Sequence, residues 1–596
     1  ATTVDLGELA VAWTPPGELP HHPVLCVLDG RVRTDALAAE LGLDPGSPPA
    51  GLVAEGYARL GDGVLERIGG EFALVIWNRA ERHGLLARDR LAARPLFVAE
   101  HAGALLFASE VRNLLALLPT RPAPDGVAMA HWLGRSGMPD NRTLFAGIRG
   151  VPGGGLVRLA DGGWDARRFW SPRYRVPRSV AADQAAVEVR DALGHAVARA
   201  LAGADRPGVM LSGGLDSAVI AALASAAMEP GAPPVAYSGV FPSHPEVDES
   251  AGVRRVRDGL GVPGVEAELG AGSALAGAIE FTRAWELPSV TPNRFVWTPL
   301  LRRAAADGID VMLDGEGGDE LFGCSTYLVA DHLLAARPLA ALRTSRRLPG
   351  MGSRPRPRWI ARSLLVYGAR GALPRRLHER MRAARGHRNR PDWLTEDVAD
   401  PRWAWKRQSG PRWWASLAHQ LTSDSVGAAD QNRREAAMHG LAFRHPLRNP
   451  ELIDLVLGLP PELAFHPRLD RPLLRAAMEG QLPDQTLRDT SKPFFNALAE
   501  DALTGPDLAP LHELLDDPHA ELAARVRTGA LAALLDRAAT AAAPPGWELD
   551  VWRLATLEIW LEHQADPSAL DPLLSELDAA PHVTFRTIDR SGSKRV

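Results

Sequence analysis

Val209-Met210-Leu211-Ser212-Gly213-Gly214-Leu215-Asp216-Ser217 decides how this chain is read. An apolar run ends in a Gly-Gly turn bearing two hydroxyls and one carboxylate, and Ala218-Val219-Ile220-Ala221-Ala222 then continues as a helix. Strand, glycine turn and helix in that order make an anion site. Glycine lets the backbone approach a phosphate, successive N–H groups point at it, and the helix N-terminus adds favourable partial charge. Asp216 alone would repel phosphate, so its presence calls for Mg2+ between carboxylate and phosphate oxygens. No Gly-Lys-Ser/Thr follows, which separates the loop from the Walker type, and no GxGxxG follows the strand.

Outward from this loop, 596 residues are too many for one core, so two or three domains are expected. A net charge of −5 gives no reason to expect nucleic acid or an anionic membrane as partner of the chain as a whole. The two cysteines, Cys26 and Cys324, exclude a disulfide framework, lack metal-ligand spacing and fit a cytoplasmic location. No apolar run approaches the length of a membrane span.

Three zones follow. Up to about residue 175, short apolar runs (Val24–Leu28, Phe72–Trp77, Gly84–Ala87, Pro95–Val98, Ala104–Phe107) alternate with turn residues, which predicts stacked antiparallel sheets with a few helices. Pro152-Gly153-Gly154-Gly155 and the Pro/Arg-rich Ser171–Ser179 read as the exit linker. The second zone alternates: a strand at Pro234–Phe241, helices near Asp248–Leu260 and Ser273–Trp285, and a third strand at Asp310–Asp314, hence a parallel sheet with its ligand at the carboxyl ends of the strands. From about Leu321 the chain reads as largely helical, and residues 581–596 as a frayed tail. Residues 343–390 hold fifteen arginines against one acidic residue, Glu379.

The third strand runs into Asp314-Gly315-Glu316-Gly317-Gly318-Asp319-Glu320-Leu321-Phe322-Gly323. Carboxylates crowded on a glycine turn are unfavourable unless a cation compensates. In a parallel sheet this turn and the Ser212 loop leave the same edge, which lets Asp216 and Asp319 share Mg2+ bound to phosphate oxygens.

SGGLDS resembles the pyrophosphate loop of the enzymes that split ATP into AMP and pyrophosphate. GEGGDELFG is similar to GEGADELFG, the second signature of the asparagine synthetase family. The resemblance implies that Ser212, Gly213, Gly214, Asp216 and Ser217 hold pyrophosphate and metal, with Asp319 as the second metal carboxylate. Leu211, Val240 and Gly315 would flank the adenosine, and Glu286-Leu287-Pro288-Ser289 would line the substrate side. Downstream, Leu474-Arg475-Ala476-Ala477-Met478, Leu482-Pro483, Arg488 and Ser491-Lys492-Pro493-Phe494 resemble a third family block. There the lysine, here Lys492, meets the α-phosphate or the tetrahedral centre, where a cation lowers the barrier.

The first zone resembles the family's glutamine amidotransferase domain in Gly69-Gly70-Glu71-Phe72-Ala73, Ala87-Arg88-Asp89-Arg90 with Arg94-Pro95-Leu96-Phe97, and Phe107-Ala108-Ser109-Glu110-Val111. The implied fold is an α+β glutaminase-like antiparallel sandwich over 1–175. An α/β parallel-sheet ATP-pyrophosphatase domain over 176–580 would follow, its C-terminal part largely helical. Active members use an N-terminal cysteine whose α-amine serves as base. This chain opens Ala1-Thr2-Thr3, and Asp29-Gly30 replaces the oxyanion-hole Asn-Gly, putting a carboxylate where an oxyanion would form. The expectation is an inactive domain, and an acyl-adenylate captured by an amine other than ammonia.

Two kinds of relative share that loss. β-Lactam synthetases carry a Tyr in the second signature, where this chain has Glu316, a candidate base by position. Lasso peptide cyclases join an Asp or Glu side chain of a peptide to its own α-amine. The length, the Arg-rich segment and Gly546-Trp547-Glu548-Leu549 with Thr556-Leu557-Glu558-Ile559-Trp560-Leu561 are more similar to the cyclases. The expected partners are then a leader-free core peptide, a leader peptidase and a leader-binding protein. A small-molecule amide synthetase and a non-catalytic nucleotide-binding scaffold are the alternatives.

Overall fold

The computed structural model describes residues 2–5, 10–13, 23–135, 137–160, 163–229, 231–270, 272–349, 356–384, 393–395, 405–406, 408–491, 496–540, 546–577, 583–588 and 594–595. The chain forms two compact units, Ala1–Ala128 with Met138–Arg173, and Met129–Gly137 with Tyr174–Val596.

The first unit is an α+β sandwich. Its five-stranded antiparallel sheet runs Gly163–Arg168, Gly155–Ala160, His83–Arg88, Gly69–Asn78, Val24–Arg33, and a three-stranded sheet runs Ala104–Ala108, Phe97–His101, Ile148–Gly150. Alternation assigns the two faces of the larger sheet. Cys26, Leu74, Ile76 and Leu85 pack on Leu37, Val53, Tyr57 and Leu65 of flanking helices. Leu25, Val75, Trp77 and Leu86 face Val98 and the partly buried Leu105 and Phe107 of the smaller sheet. The motif residues read in the sequence stitch the loops. Arg88 donates to the carbonyls of Ala92, Arg94 and Val151, and the buried Asp89 carboxylate accepts the N–H groups of Leu91, Ala93 and Arg94.

The second unit is α/β. Five parallel strands lie in the order Ala442–Arg444, Val311–Leu313, Pro207–Met210, Val235–Val240, Gly264–Leu269. The chain moves from Pro207–Met210 outward through two strands, then returns to place Val311–Leu313 on the other side of its start. That reversal is a topological switch point, where loops leaving adjacent strands diverge and open a crevice. The loops that diverge here are the two glycine-rich motifs.

Three features differ from the sequence reading. The strand at Val311–Leu313 is the fourth of the sheet in chain order, because Gly264–Leu269 intervenes. That segment reads Gly-Val-Glu-Ala-Glu-Leu, and its polarity hides a strand whose Glu266 is buried against Arg257, 2.7 Å from Nη1. A short strand, Ala442–Arg444, adds a parallel edge that three residues are too few to announce. The stretch read as a tail contains Val583–Ile588, which pairs antiparallel with Gly264–Leu269 over six residues. Its β-branched and aromatic residues, Val583, Thr584, Phe585, Thr587 and Ile588, suit a strand. The rest of the unit is largely helical, with Trp547–Ala565 as a long buried helix. Among the described residues no helix is long and apolar enough to cross a membrane.

Candidate active site

The Ser212 loop is shaped by its own hydroxyls. Ser217 Oγ lies 2.9 Å from Ser212 Oγ and accepts the Ser212 N–H at 3.2 Å, while the Gly214 N–H donates to Ser212 Oγ at 3.2 Å. The Leu211 N–H bonds the Tyr237 carbonyl and Ser238 Oγ donates to the Leu211 carbonyl, which fix the loop to the neighbouring strand. Gly213 is needed for close approach: a Cβ there would lie 2.9 Å from Glu249 Cβ and 3.2 Å from Gly252 Cα. Asp216 stands in the first turn of Leu215–Ala227.

The second motif is pressed against this turn. A Cβ on Gly315 would lie 2.7 Å from the Asp216 backbone, and one on Gly318 would lie 2.4 Å from Asp216 Cγ. Between the two motifs sits a residue that the sequence reading misses, Arg471. Its guanidinium meets Asp216 at 2.5 Å and Asp319 at 3.0 Å, and is held from behind by Asp470 at 2.5 Å. Burial works against the charge on Arg471, but Asp216, Asp319 and Asp470 outweigh it, so its proton is held more tightly than usual. Its backbone is left-handed, φ 47°. Asp216 lies 255 positions away in sequence, so no local pattern marks Arg471.

Leu211, Ser212, Gly213, Gly214, Asp216, Ser217, Gly315, Glu316 and Asp319 all line one cavity of about 580 Å³. Val240 does not. Alternation along Val235–Val240 turns Tyr237 and Gly239 to the cavity with Phe241, and sends Val240 into the packing on the other side. Lys492 lies outside the described residues. The segment leading to it is anchored, since Arg475 donates to the carbonyls of Leu487 and Asp489, and Asp489 accepts from Ser491 N and Oγ. Asp489 and Ser491 reach the cavity wall.

Glu316 carries the most useful perturbation in the site. Burial, aided by Asp314, pushes its carboxyl up to about 7, while His445 and Arg448 pull the other way. His445 bonds Asp314, Nδ1 to Oδ1 at 2.7 Å. Burial disfavours the imidazolium, yet Asp314 and Glu316 outweigh it and raise its proton affinity. Glu249, behind Gly213, is likewise lifted to about 7 by burial.

Opposite the phosphate loop the cavity is lined by Thr291, Asn293, Trp297, Leu301, Asn432 and Glu435. Glu286-Leu287-Pro288-Ser289 supports this wall from behind. Trp560 and Trp552 donate to the carbonyls of Glu286 and Ser289, and the Glu286 carboxylate lies 3.2 Å from His563. Gln431 Oε1 accepts the Val290 N–H, and Glu435 is locked by Arg294 and Thr298. The 343–390 segment contributes nothing to this cavity among its described residues.

The asparagine synthase family profile matches residues 188–562, and a glutamine amidotransferase domain profile matches residues 50–170. The chain belongs to the asparagine synthase family. A putative glutamine-hydrolyzing asparagine synthetase of Mycobacterium tuberculosis is 28% identical over 513 residues, 80% of this chain and 75% of that protein. Asparagine synthetase 3 of Bacillus subtilis is 21% identical, covering 74% of this chain and 69% of that one. The carboxyethyl-arginine beta-lactam-synthase of Streptomyces clavuligerus is 31% identical over 234 residues, 37% of this chain and 43% of that protein. Membership in the asparagine synthase family sets the reaction class, ATP-dependent amide formation.

The chain's own geometry fits a divalent cation and a polyphosphate. Two carboxylates converge within salt-bridge reach of one guanidinium, beside a loop whose Gly213 packs without a Cβ against Glu249 and Gly252. Without nucleotide, Arg471 supplies the cation these carboxylates require. Replacing it by Met should lower the melting temperature of the nucleotide-free protein by several degrees, because its removal leaves the Asp216, Asp319 and Asp470 carboxylates facing each other without a counter-charge. Millimolar Mg2+ should restore that stability in the variant and change the wild type little. Calorimetry with and without Mg2+ checks this, and a variant as stable as wild type and indifferent to Mg2+ would contradict it.

Proposed function

We propose that the protein closes a macrolactam in a leader-free peptide, by adenylating an Asp or Glu side chain and passing the acyl group to the peptide's own α-amine. The peptide carboxylate attacks the α-phosphorus of ATP, and pyrophosphate departs into the Ser212–Ser217 loop. The helix N-terminus and loop N–H groups stabilise the charge that develops there. Mg2+ held by Asp216 and Asp319 would neutralise the phosphates. Leu211 and Gly315 would flank the adenosine, and Lys492 would stabilise charge at the reacting centre.

Glu316, half-buried in the wall of the same cavity with its proton affinity near neutrality, supplies a base for that capture, as the same Glu of the family's second signature could for other amines. Amide formation from the adenylate releases a proton whatever the amine, and a peptide α-amine of pKa about 8 must also shed one before it can attack. A base of pKa about 7 is matched to that task. Asp29 adds support from the other unit: its carboxylate stands where the glutaminase motif has an asparagine, about 4.0 Å from Arg94. An anion there disfavours an oxyanion and hence ammonia supply.

The test is direct. Purified protein with Mg2+, ATP and a leader-free peptide should yield AMP, pyrophosphate and a peptide lighter by one water, while glutamine should yield no ammonia. Ammonia release and asparagine formation would overturn the proposal. The likeness to a beta-lactam-synthase favours one other reading, a small-molecule amide synthetase. A free small amino diacid that triggers AMP release where peptides do not would establish it. A leader peptidase and a leader-binding protein are the partners this function calls for, in the cytoplasm where ATP is available.

Glu316 makes the reaction pH-dependent in a defined sense. Only its ionised form accepts a proton, so below pH 7 the rate of ring closure should fall about tenfold per pH unit and above it reach a plateau. Glu316→Gln should lower the plateau by about 100-fold and remove the acidic limb. ATP–pyrophosphate exchange, which precedes amine attack, should change far less. A pH–rate profile of Glu316→Gln that keeps the limb would assign the base elsewhere.

A further inference from the structure

Among the described residues the arginine-rich segment does not line the cavity, and the fold gives it a surface of its own. The helices Leu328–Leu334, Pro338–Arg346 and Pro357–Ser363 pack together, the last continuing through a π-helical turn to Ala372. Arg337, Arg343, Arg347, Arg356, Arg358 and Arg362 are all exposed on this bundle. None of them has an ion-pair partner among the described residues, and Glu379, the single acid of 343–390, is taken by Arg375 at 2.6 Å. In a chain of net charge −5, so much unneutralised positive charge in one place is a local inversion.

Large apolar side chains project from the same bundle. Leu334, Leu339, Trp359 and Leu365 are 58%, 70%, 42% and 61% exposed. On the helix from Pro357, positions 358, 362 and 365 recur every three to four residues, so Arg358, Arg362 and Leu365 share one outward stripe. Trp359 lies beside it, its ring 5.8 Å from the Arg358 guanidinium and 5.5 Å from that of Arg362.

We propose that this bundle is a docking surface for an anionic lipid bilayer. The combination is what an interfacial surface requires: Trp and Leu dip to the acyl boundary while arginines meet phosphate headgroups. Nucleic acid would use the charge but has no place for isolated leucines. A folded acidic partner would need the apolar groups gathered into one desolvated patch, whereas here Trp359 is flanked by the guanidiniums of Arg358 and Arg362. The surface is peripheral, in keeping with the absence of a spanning helix among the described residues.

Flotation of the full chain with two kinds of vesicle tests it: phosphatidylcholine alone, and phosphatidylcholine with about one-third phosphatidylglycerol. Binding should be at least about tenfold greater to the anionic vesicles and should weaken as salt rises. Arg358→Glu/Arg362→Glu should lower it about tenfold or more, and Trp359→Ala/Leu365→Ala should lower it severalfold while preserving the preference for anionic lipid. ATP–pyrophosphate exchange should be unchanged in both variants, which shows that they fold. Equal partition into the two vesicles would overturn the proposal. So would variants that bind as wild type does, or binding to RNA with the same arginine dependence but not to vesicles.

Discussion

Asp216→Asn is expected to lower ATP–pyrophosphate exchange by about 1,000-fold or more. The amide keeps the shape of the carboxylate and removes its charge, which is what a hard divalent cation requires of an oxygen ligand. Asp216 has no substitute. It opens the helix after the phosphate loop, lies under Gly315 and Gly318, and shares Arg471 with Asp319. Removing one of the two carboxylates halves the negative charge facing the cation, and Asp216 is the better covered of the pair, where charge interactions are stronger than in water. The nucleotide-free variant should remain folded, because Arg471 keeps Asp319 and Asp470. Exchange within tenfold of wild type in a folded Asp216→Asn protein would remove Asp216 from the metal site, and the proposed chemistry with it.

Gly318→Ala should be nearly as damaging, for a steric reason. The added methyl would stand 2.4 Å from Asp216 Cγ and 2.5 Å from its Oδ1, well inside van der Waals contact. The carboxylate must rotate or the two motifs must part, and a shift of about 1 Å at a positioned catalytic group costs on the order of 100-fold. Stability should fall as well, by about 1–3 kcal/mol, the range for overpacking a tight site. Gly440→Ala is a useful comparison: its methyl would meet nothing within 4 Å, although its backbone has a positive φ of 78°. It should cost stability through backbone strain and leave exchange intact. Exchange unchanged in Gly318→Ala would mean that the two motifs need not touch during the reaction.

These two variants probe different levels of the same site. Asp216→Asn tests the charge that SGGLDS announces in the sequence. Gly318→Ala tests a distance that no sequence position specifies. Pyrophosphate exchange reads both, since it reports adenylation without the later amine attack. Glu316→Gln acts on the second half-reaction, so together the three substitutions separate activation of the carboxylate from its capture.

The two motifs were legible because their chemistry is local. A glycine turn between strand and helix can bind an anion wherever it occurs, and the alternation of strand and helix around it implies a parallel sheet with both turns at one edge. The strands of the first unit were legible for the same reason, since alternating burial leaves a period of two in the residues themselves. Gly264–Leu269 escaped because its glutamates mimic a solvated loop until Arg257 is brought against Glu266. The Val240 side chain points away from the cavity that Tyr237 and Gly239 line, because neighbours on a strand point to opposite faces, and only the register shows which of them meets the cavity. Arg471, the Asp314–His445 pair and the exposure of Arg343, Arg347, Arg356, Arg358 and Arg362 have no local signature. Each depends on residues, or on an outward direction, supplied by distant parts of the chain.

The sequence by itself thus determined the class of fold, the ATP-splitting loop and the carboxylates that accompany it, because turn geometry and hydrophobic period are properties of short stretches. Only the tertiary structure decided which cation balances those carboxylates and which acid is poised near neutrality. It also decided which face of the protein carries exposed charge. Each of these is set by Coulombic interaction and burial, which depend on distance through space and not along the chain.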